Sequence, residues 1–232
     1  MLDQNLWQTF PSLSRLTPHG GRPARQLEFV NAFTLRHPDI DVQVDREDAL
    51  TRLWAWHQEI AAELGFSPSR LVTAQQVHGR EVAVINEAHT DAVPAVDGLI
   101  SNTPNILLGI YVADCCAVYL TDPVSGAFGI VHSGKKGTDL GITQIAIEKM
   151  QCEFGTRTEN LIVQLSPCIR PPAYEVDFAA AIREQARASG VLPQHIHDDG
   201  TCTAREPAKY YSYRMEKGKT GRMLALLGKR TA

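Results

Sequence analysis

Between residues 70 and 132 the chain is a succession of short apolar runs broken by turn residues, and no other feature restricts its fold as much. The runs are "RLVTAQQV", "EVAVIN", "DGLIS", "ILLGIYVA", "AVYLTD" and "AFGIVH". Their β-branched content, and the turns His78-Gly79, Asn102-Thr103-Pro104 and Asp122-Pro123 between them, predict a largely buried sheet. Helical periodicity flanks this stretch. Asp45 is a good N-cap for "REDALTRLWAWHQEIAAELG", in which Ala49, Leu50, Leu53, Trp54, His57, Ile60, Ala61 and Leu64 share one face and Gly65 suits the stop. Thr138 is placed to cap "DLGITQIAIEKMQCEFG", with Ile142, Ile145, Ala146 and Met150 as its core stripe. "NLIVQLS" reads as another buried strand, "FAAAIREQARASG" as a helix and "RMLALL" as a late strand.

Residues 1–44 read as irregular around one strand, "QLEFVNAFTL", with residues 1–26 a less ordered N-terminal extension. No repeat and no dividing linker is visible. The expectation is therefore α/β: a single domain over residues 1–232 with a mixed β-sheet core flanked by helices.

A net charge of −3 leaves no electrostatic footprint for nucleic acid. The one dense cationic segment, "RMEKGKTGR", reads as a solvated turn between two strands. No window is apolar enough to span a membrane, and "MLDQNLWQTF" is not a signal peptide. Five cysteines, at 115, 116, 152, 168 and 202, are odd in number and do not form the framework of a small secreted domain. Reduced thiols and a cytoplasmic location follow as the expectation, with a monomer or small homo-oligomer as the assembly.

The stretch "YVADCCAVYLTDPVSGAFGIVHSGKKG" carries the chemistry. Cys115 and Cys116 follow Asp114 at the end of one apolar run, and His132 ends the next but one. A hairpin around "TDPVSG" would bring these positions together, and by alternation Cys116 would then face the core on the other side. His78 also ends a strand before a glycine turn, where the backbone leaves room for a ligand. His78, Cys115 and His132 make a set of two imidazoles and one thiolate, the ligand count of a catalytic zinc site with one position open. Their spacing matches no short metal signature, and inert packing is the alternative for each residue alone. Lys135 and Lys136, between glycines just before a helix, suit a phosphate or a solvated basic turn.

These segments, in their order, resemble the YfiH-like laccase-domain, or polyphenol oxidase, family, described as purine nucleoside-metabolising enzymes. The likeness covers about residues 27–228: "QVHG" with His78, "DGLIS" with Asp97, "ADC" with Cys115, "VHSGKKG" with His132, then "SPCIRPPAYEV" and "CTAREPAKYYSYRMEKGKTGRM". The resemblance implies a YfiH-like fold and zinc, with copper as the alternative, held by His78, Cys115 and His132. It also implies phosphorolysis of adenosine, inosine, guanosine and methylthioadenosine, together with adenosine deamination. Purine nucleoside and phosphate would be the partners. Asp114 would orient an imidazole or handle a proton, Lys136 would join it in catalysis, and Lys135, Lys136 and Arg214 would bind substrate or phosphate.

This chain departs from the family in three places, one of them a segment between Val176 and Cys202 shorter than the family's. The family's Gly-Trp-Arg-Gly turn is Gly134-Lys135-Lys136-Gly137, so Lys136 keeps the arginine's charge but loses its bidentate fork. The Gly-Pro-Cys-Cys-Tyr-Glu pattern becomes Arg170-Pro171-Pro172-Ala173-Tyr174-Glu175, without either thiol. Three other readings stay open: a metal-free hydrolase or amidase with Cys115 as nucleophile and His132 as base, copper-dependent phenol oxidation, and a non-catalytic ligand-binding member. The first leaves His78 without a role. The second needs grouped histidines, and the only His-x-His pair is His195 and His197. Tyr213, Arg214 and Arg222 match the family's C-terminal motif, with strand packing as the competing reading.

Overall fold

The structure, a computed structural model, describes residues 4–14 and 28–231. The chain opens with β1 (Trp7–Gln8), α1 (Pro11–Ser14), β2 (Glu28–Thr34) and the long helix α2 (Arg46–Glu63). Then come β3 (Leu71–Gln75), β4 (Val82–Val84), β5 (Val93–Pro94), β6 (Gly98–Ser101), β7 (Leu107–Val112), β8 (Cys116–Thr121) and β9 (Phe128–Ser133). Helices α3 (Lys135–Asp139) and α4 (Ile142–Phe154) precede β10 (Ile162–Leu165), α5 (Phe178–Ala188), β11 (Ile196–Asp198) and β12 (Met223–Arg230). Most of the expected extension lies outside the described residues; within it, residues 4–14 carry β1 and α1, and Phe10 and Leu13 enter the core. No described helix is long and apolar enough to cross a membrane.

The expected α/β fold, a mixed β-sheet core flanked by helices, is present, with its strands divided into two mixed six-stranded sheets ordered β1-β2-β12-β7-β3-β5 and β11-β10-β8-β9-β6-β4. The reason is long-range pairing that no local pattern encodes. The C-terminal β12 slots between β2 and β7, and β10 pairs with β8. The sheets face each other across one apolar core containing Leu108, Ile110, Ala117, Tyr119, Phe128 and Leu226. Tyr119 is fully buried there, and its hydroxyl donates to the Ala32 carbonyl at 2.9 Å, tying β8 to β2. A second core lies between the β8–β9 sheet and the apolar faces of α4 and α5, where Ile142, Ile147, Met150 and Ile182 are fully buried.

The expected β8–β9 hairpin forms, with Ala117 opposite His132 and Cys116 opposite Ser133. Asp122 builds its turn by accepting from the Val124 and Ser125 amides and the Ser125 hydroxyl, and Gly126 supplies the positive φ of +75°. Two helical details differ from expectation. The segment after His132 is broken at Gly141 (φ +73°) into α3 and α4, so Lys135 and Lys136 are the first turn of α3 instead of a loop before it. Thr138 accordingly caps nothing; its hydroxyl lies 2.8 Å from that of Ser133.

Helix α2 starts at the Asp45 cap, whose carboxylate accepts from the Glu47 and Asp48 amides. On its buried face Trp56 takes the place expected of Trp54, which is exposed. His57 is fully buried between the rings of Trp56 and Tyr111, at 5.2 and 5.6 Å, and neither ring nitrogen has a hydrogen-bond partner among the described residues. Burial holds its pKa down at about 3, against 6.5 for the ordinary imidazole. Between those values the unfolded chain binds a proton that the folded one refuses. Stability is therefore full above pH 6.5 and falls as pH drops towards 3. At pH 5 this costs about 2 kcal/mol. His57→Phe is expected to remove that increment, so that urea midpoints of variant and parent converge, or cross in the variant's favour, on going from pH 8 to pH 5. An identical pH dependence in both proteins would show that His57 titrates normally.

Candidate metal centre

The chain crosses between sheets at Ala113–Cys115, and the site is built where it does so. Strand β3 of the first sheet ends at Gln75. The Gln76 side chain then continues its pairing with β7, donating to the Tyr111 carbonyl at 2.7 Å and accepting from the Tyr111 amide at 3.0 Å. A side chain thus satisfies the strand end, and the backbone is free to turn away at Val77-His78-Gly79. His78 adopts a left-handed φ of +57°, unusual for a residue with a β-carbon. What holds it there is Asp97. Its fully buried carboxylate accepts from the amides of Val77, His78 and Gly79 at 3.1, 2.9 and 2.7 Å.

The same carboxylate lies 2.8 Å from Nδ1 of His132, on β9 of the second sheet. Asp97 precedes β6, which pairs with β9, and its carbonyl accepts from the His132 amide at 2.7 Å. One aspartate therefore fixes both histidines: one through its backbone turn, the other through its ring. Cys115, between β7 and β8, completes the group. The ligand atoms of His78, Cys115 and His132 all lie within 4.8 Å of one another, and the two imidazole rings are 4.7 Å apart. Gly134 must be glycine, because a β-carbon there would collide with Cys115 Sγ.

The electrostatics favour a thiolate. Burial pushes the Cys115 thiol up, but the His132 and His78 imidazoles outweigh it and hold the thiol down at about 6. Burial in turn pushes His132 down, and the Cys115 thiolate with Asp97 reverses this, raising it to about 9. Two imidazoles and a thiolate, preset by a carboxylate behind one ring, are a donor set that could hold a metal ion.

The cluster opens into a cavity of about 680 Å³ lined by Tyr111, Ile169, Tyr174, Phe178 and Tyr213, with Arg46, Lys135, Arg214, Lys217 and Arg222 as its cations. Asp114 lines it too, but does not orient an imidazole; Asp97 does that. The Asp114 carboxylate accepts from the Thr203 hydroxyl (2.7 Å), the Ser212 hydroxyl (3.0 Å) and the Arg214 amide (2.7 Å), from a strained φ of +83°. Its work is to fasten the C-terminal segment over the thiolate. Lys135 lines the cavity and is paired with Asp139 at 2.7 Å, whereas Lys136 is exposed, outside the lining, and not placed to act on a ligand there. Arg214 pairs with Glu175 at 3.5 Å and lies over the Tyr174 ring at 5.6 Å. The segment "RMEKGKTGR" is not a solvated turn between strands: Arg214, Lys217, Gly218 and Arg222 wall the cavity before β12 begins.

Cys116 behaves as alternation requires. Fully buried on the opposite face, it packs in the second core, 3.8 Å from the Ser166 carbonyl.

Comparison with known proteins agrees with this architecture. Residues 37–180 and 176–230 match the family model described as multi-copper polyphenol oxidoreductase laccase. The chain is 29% identical over 252 residues, covering 92% of it and 88% of its relative, to a protein of Geobacillus stearothermophilus named purine nucleoside phosphorylase YlmD. It is 33% identical over 208 residues, 79% of the chain and 80% of the relative, to one of Deinococcus radiodurans named purine nucleoside phosphorylase. The crystal structure of YlmD from Geobacillus stearothermophilus superposes with a TM-score of 0.79 at 27% identity, covering 95% of this chain and 100% of that one. The hypothetical protein YfiH of Bacillus licheniformis has a TM-score of 0.77 at 22% identity, over 88% and 92% of the two chains, and so shares the fold.

Proposed function

The chain belongs to the family described as multi-copper polyphenol oxidoreductase laccase, and from that membership we propose that it is a purine nucleoside phosphorylase with adenosine deaminase activity, holding zinc on His78, Cys115 and His132. The observation that carries this reading is the convergence of those three side chains at the floor of an aromatic, cationic cavity. Relatives named purine nucleoside phosphorylase cover most of the chain and supply the reaction class. Multicopper oxidation would need several metal clusters, and among the described residues this is the one group of that kind. The soft thiolate with two imidazoles suits zinc, and would also accept copper.

When bound, zinc supplies Lewis-acid charge at the floor of the cavity and acidifies water. The chain's own groups do the rest. Tyr174, Phe178 and Tyr213 offer flat apolar walls for a purine. The cationic rim attracts the anionic co-substrate. In phosphorolysis a phosphate oxygen bonds to the ribose C1′ as the C1′–N9 bond breaks; the bond pair leaves with the base, which takes up a proton. Holding anion and sugar in line is most of what the site must do. In deamination, water replaces the C6 amine, which leaves as ammonia.

The test is product analysis on metal-quantified protein given adenosine with and without phosphate. Adenine is expected only with phosphate, and inosine independently of it, both lost in His78→Ala. Stoichiometric zinc with no turnover of any purine nucleoside would overturn the reading.

A further inference from the structure

The cavity's cations are not equivalent. Lys135 and Arg214 already face carboxylates, Asp139 and Glu175. Arg46, Lys217 and Arg222 make no ion pair with any described residue. Arg222 is the anomaly, because it is only 8% exposed. A buried guanidinium ordinarily sits beside a carboxylate, since desolvating a lone charge costs several kcal/mol. Here Nη1 donates to two neutral carbonyls, Thr220 at 2.7 Å and Gly221 at 2.9 Å, and the guanidinium makes no other hydrogen bond to a described residue. The Tyr213 ring lies 5.9 Å beneath it. A second cation is close by: burial first, and then Arg46, lower the Arg222 pKa, while the Cys115 thiolate and Asp114, neither of them ion-paired with it, each act more weakly in the other direction. Arg46 is the first residue of α2 and reaches the same cavity, and its side chain makes no hydrogen bond to any described residue. Two guanidiniums, one desolvated, thus share a cavity with most of their donors unspent.

We propose that Arg46 and Arg222 form a phosphoryl-binding site, a two-guanidinium clamp at the wall of the cavity above His78, Cys115 and His132, in place of the lysine turn at Lys135-Lys136. Two forks present several N–H donors to a tetrahedral dianion, which single ammonium groups cannot match. The occupant's chemistry is a phosphate dianion, either free inorganic phosphate or a phosphate carried by the nucleoside. Only the phosphate's part in catalysis rests on the phosphorylase reading; its binding does not.

The test is calorimetric titration of the zinc-loaded full chain with inorganic phosphate. Arg46→Gln and Arg222→Gln are each expected to weaken binding roughly 10- to 100-fold, and Arg222→Lys to recover only part of the loss. Arg46 is exposed, so its variant carries the test should Arg222→Gln fold poorly. Unchanged phosphate affinity in both glutamine variants, or loss in Lys136→Ala instead, would overturn the proposal. A second arm titrates adenosine 5′-phosphate. Competition with inorganic phosphate, and weakening by Arg46→Gln, places the ligand's own phosphate in the clamp. Simultaneous binding, with only inorganic phosphate sensitive to the arginines, reserves the clamp for the free ion. Because no turnover is read, intact phosphate binding with no product would sink the phosphorylase reading while leaving the clamp standing.

Discussion

Cys115→Ala is expected to leave the purified protein without stoichiometric metal, and Cys116→Ala to retain it. The two thiols are adjacent in sequence but differ in every physical respect that matters for ligation. Cys115 is half-buried at the crossing between sheets, within 4.8 Å of two imidazole nitrogens, with its thiol held at about 6. It is therefore largely a thiolate at neutral pH, the form that binds metal. Cys116 packs inside the second apolar core beside Ser166, where sulfur serves as a small hydrophobe. Losing Cys115 removes one of the three proposed ligands and leaves His132 and Asp97 buried against an unfilled position. Losing Cys116 removes one buried sulfur, at a cost of about 1 kcal/mol or somewhat more. Elemental analysis after dialysis against a weak chelator reads the first effect, and urea denaturation the second. Equal metal content in the two variants would mean that alternation along β8 has been misassigned.

That contrast was legible in the sequence because it depends on local chemistry. "TDPVSG" between two β-branched runs encodes a hairpin, the hairpin fixes the facing of Cys116, and His132 follows from its far end. His78 was legible as a strand end before glycine. Asp97 was not. An aspartate before a glycine reads as turn chemistry, and only the pairing of β6 with β9 turns it into the support for both histidines. Arg46 was hidden for the same reason, as was the pairing of Arg222, legible only as part of a C-terminal motif, with it. One opens a helix, the other precedes a strand, and 175 intervening residues separate two side chains that share one cavity. The division into two sheets is not legible in local pattern, because β12 joins β2 and β7 from the other end of the chain. Trp56 rather than Trp54 is buried: both lie near the edge of the α2 stripe, and the tertiary contact of the Trp56 ring with His37 decides between them. What failed, in each case, was information carried by contacts distant in sequence.

The strongest consequence of those contacts concerns Asp97 itself. Its carboxylate holds three backbone amides and one imidazole in a site with no solvent exposure. Burial pushes its pKa up, yet His132 and the amides of Gly79 and Val77 outweigh that and keep it below the ordinary carboxylate value. Asparagine is nearly isosteric but carries two N–H donors where the carboxylate has an acceptor. Whichever way the amide is turned, it confronts at least one N–H of the Val77–Gly79 turn or of His132. Asp97→Asn is therefore expected to weaken metal binding roughly 10- to 100-fold, because the left-handed turn at His78 and the ring of His132 both lose their anchor. It should also cost the metal-free protein about 3 kcal/mol of stability, the scale for leaving buried charged hydrogen bonds unmade. Chelator competition measures the first quantity and urea denaturation of the apoprotein the second. A loss of stability with unchanged metal affinity would assign Asp97 to the fold alone. A loss of affinity in step with stability is what a single carboxylate serving both histidines requires.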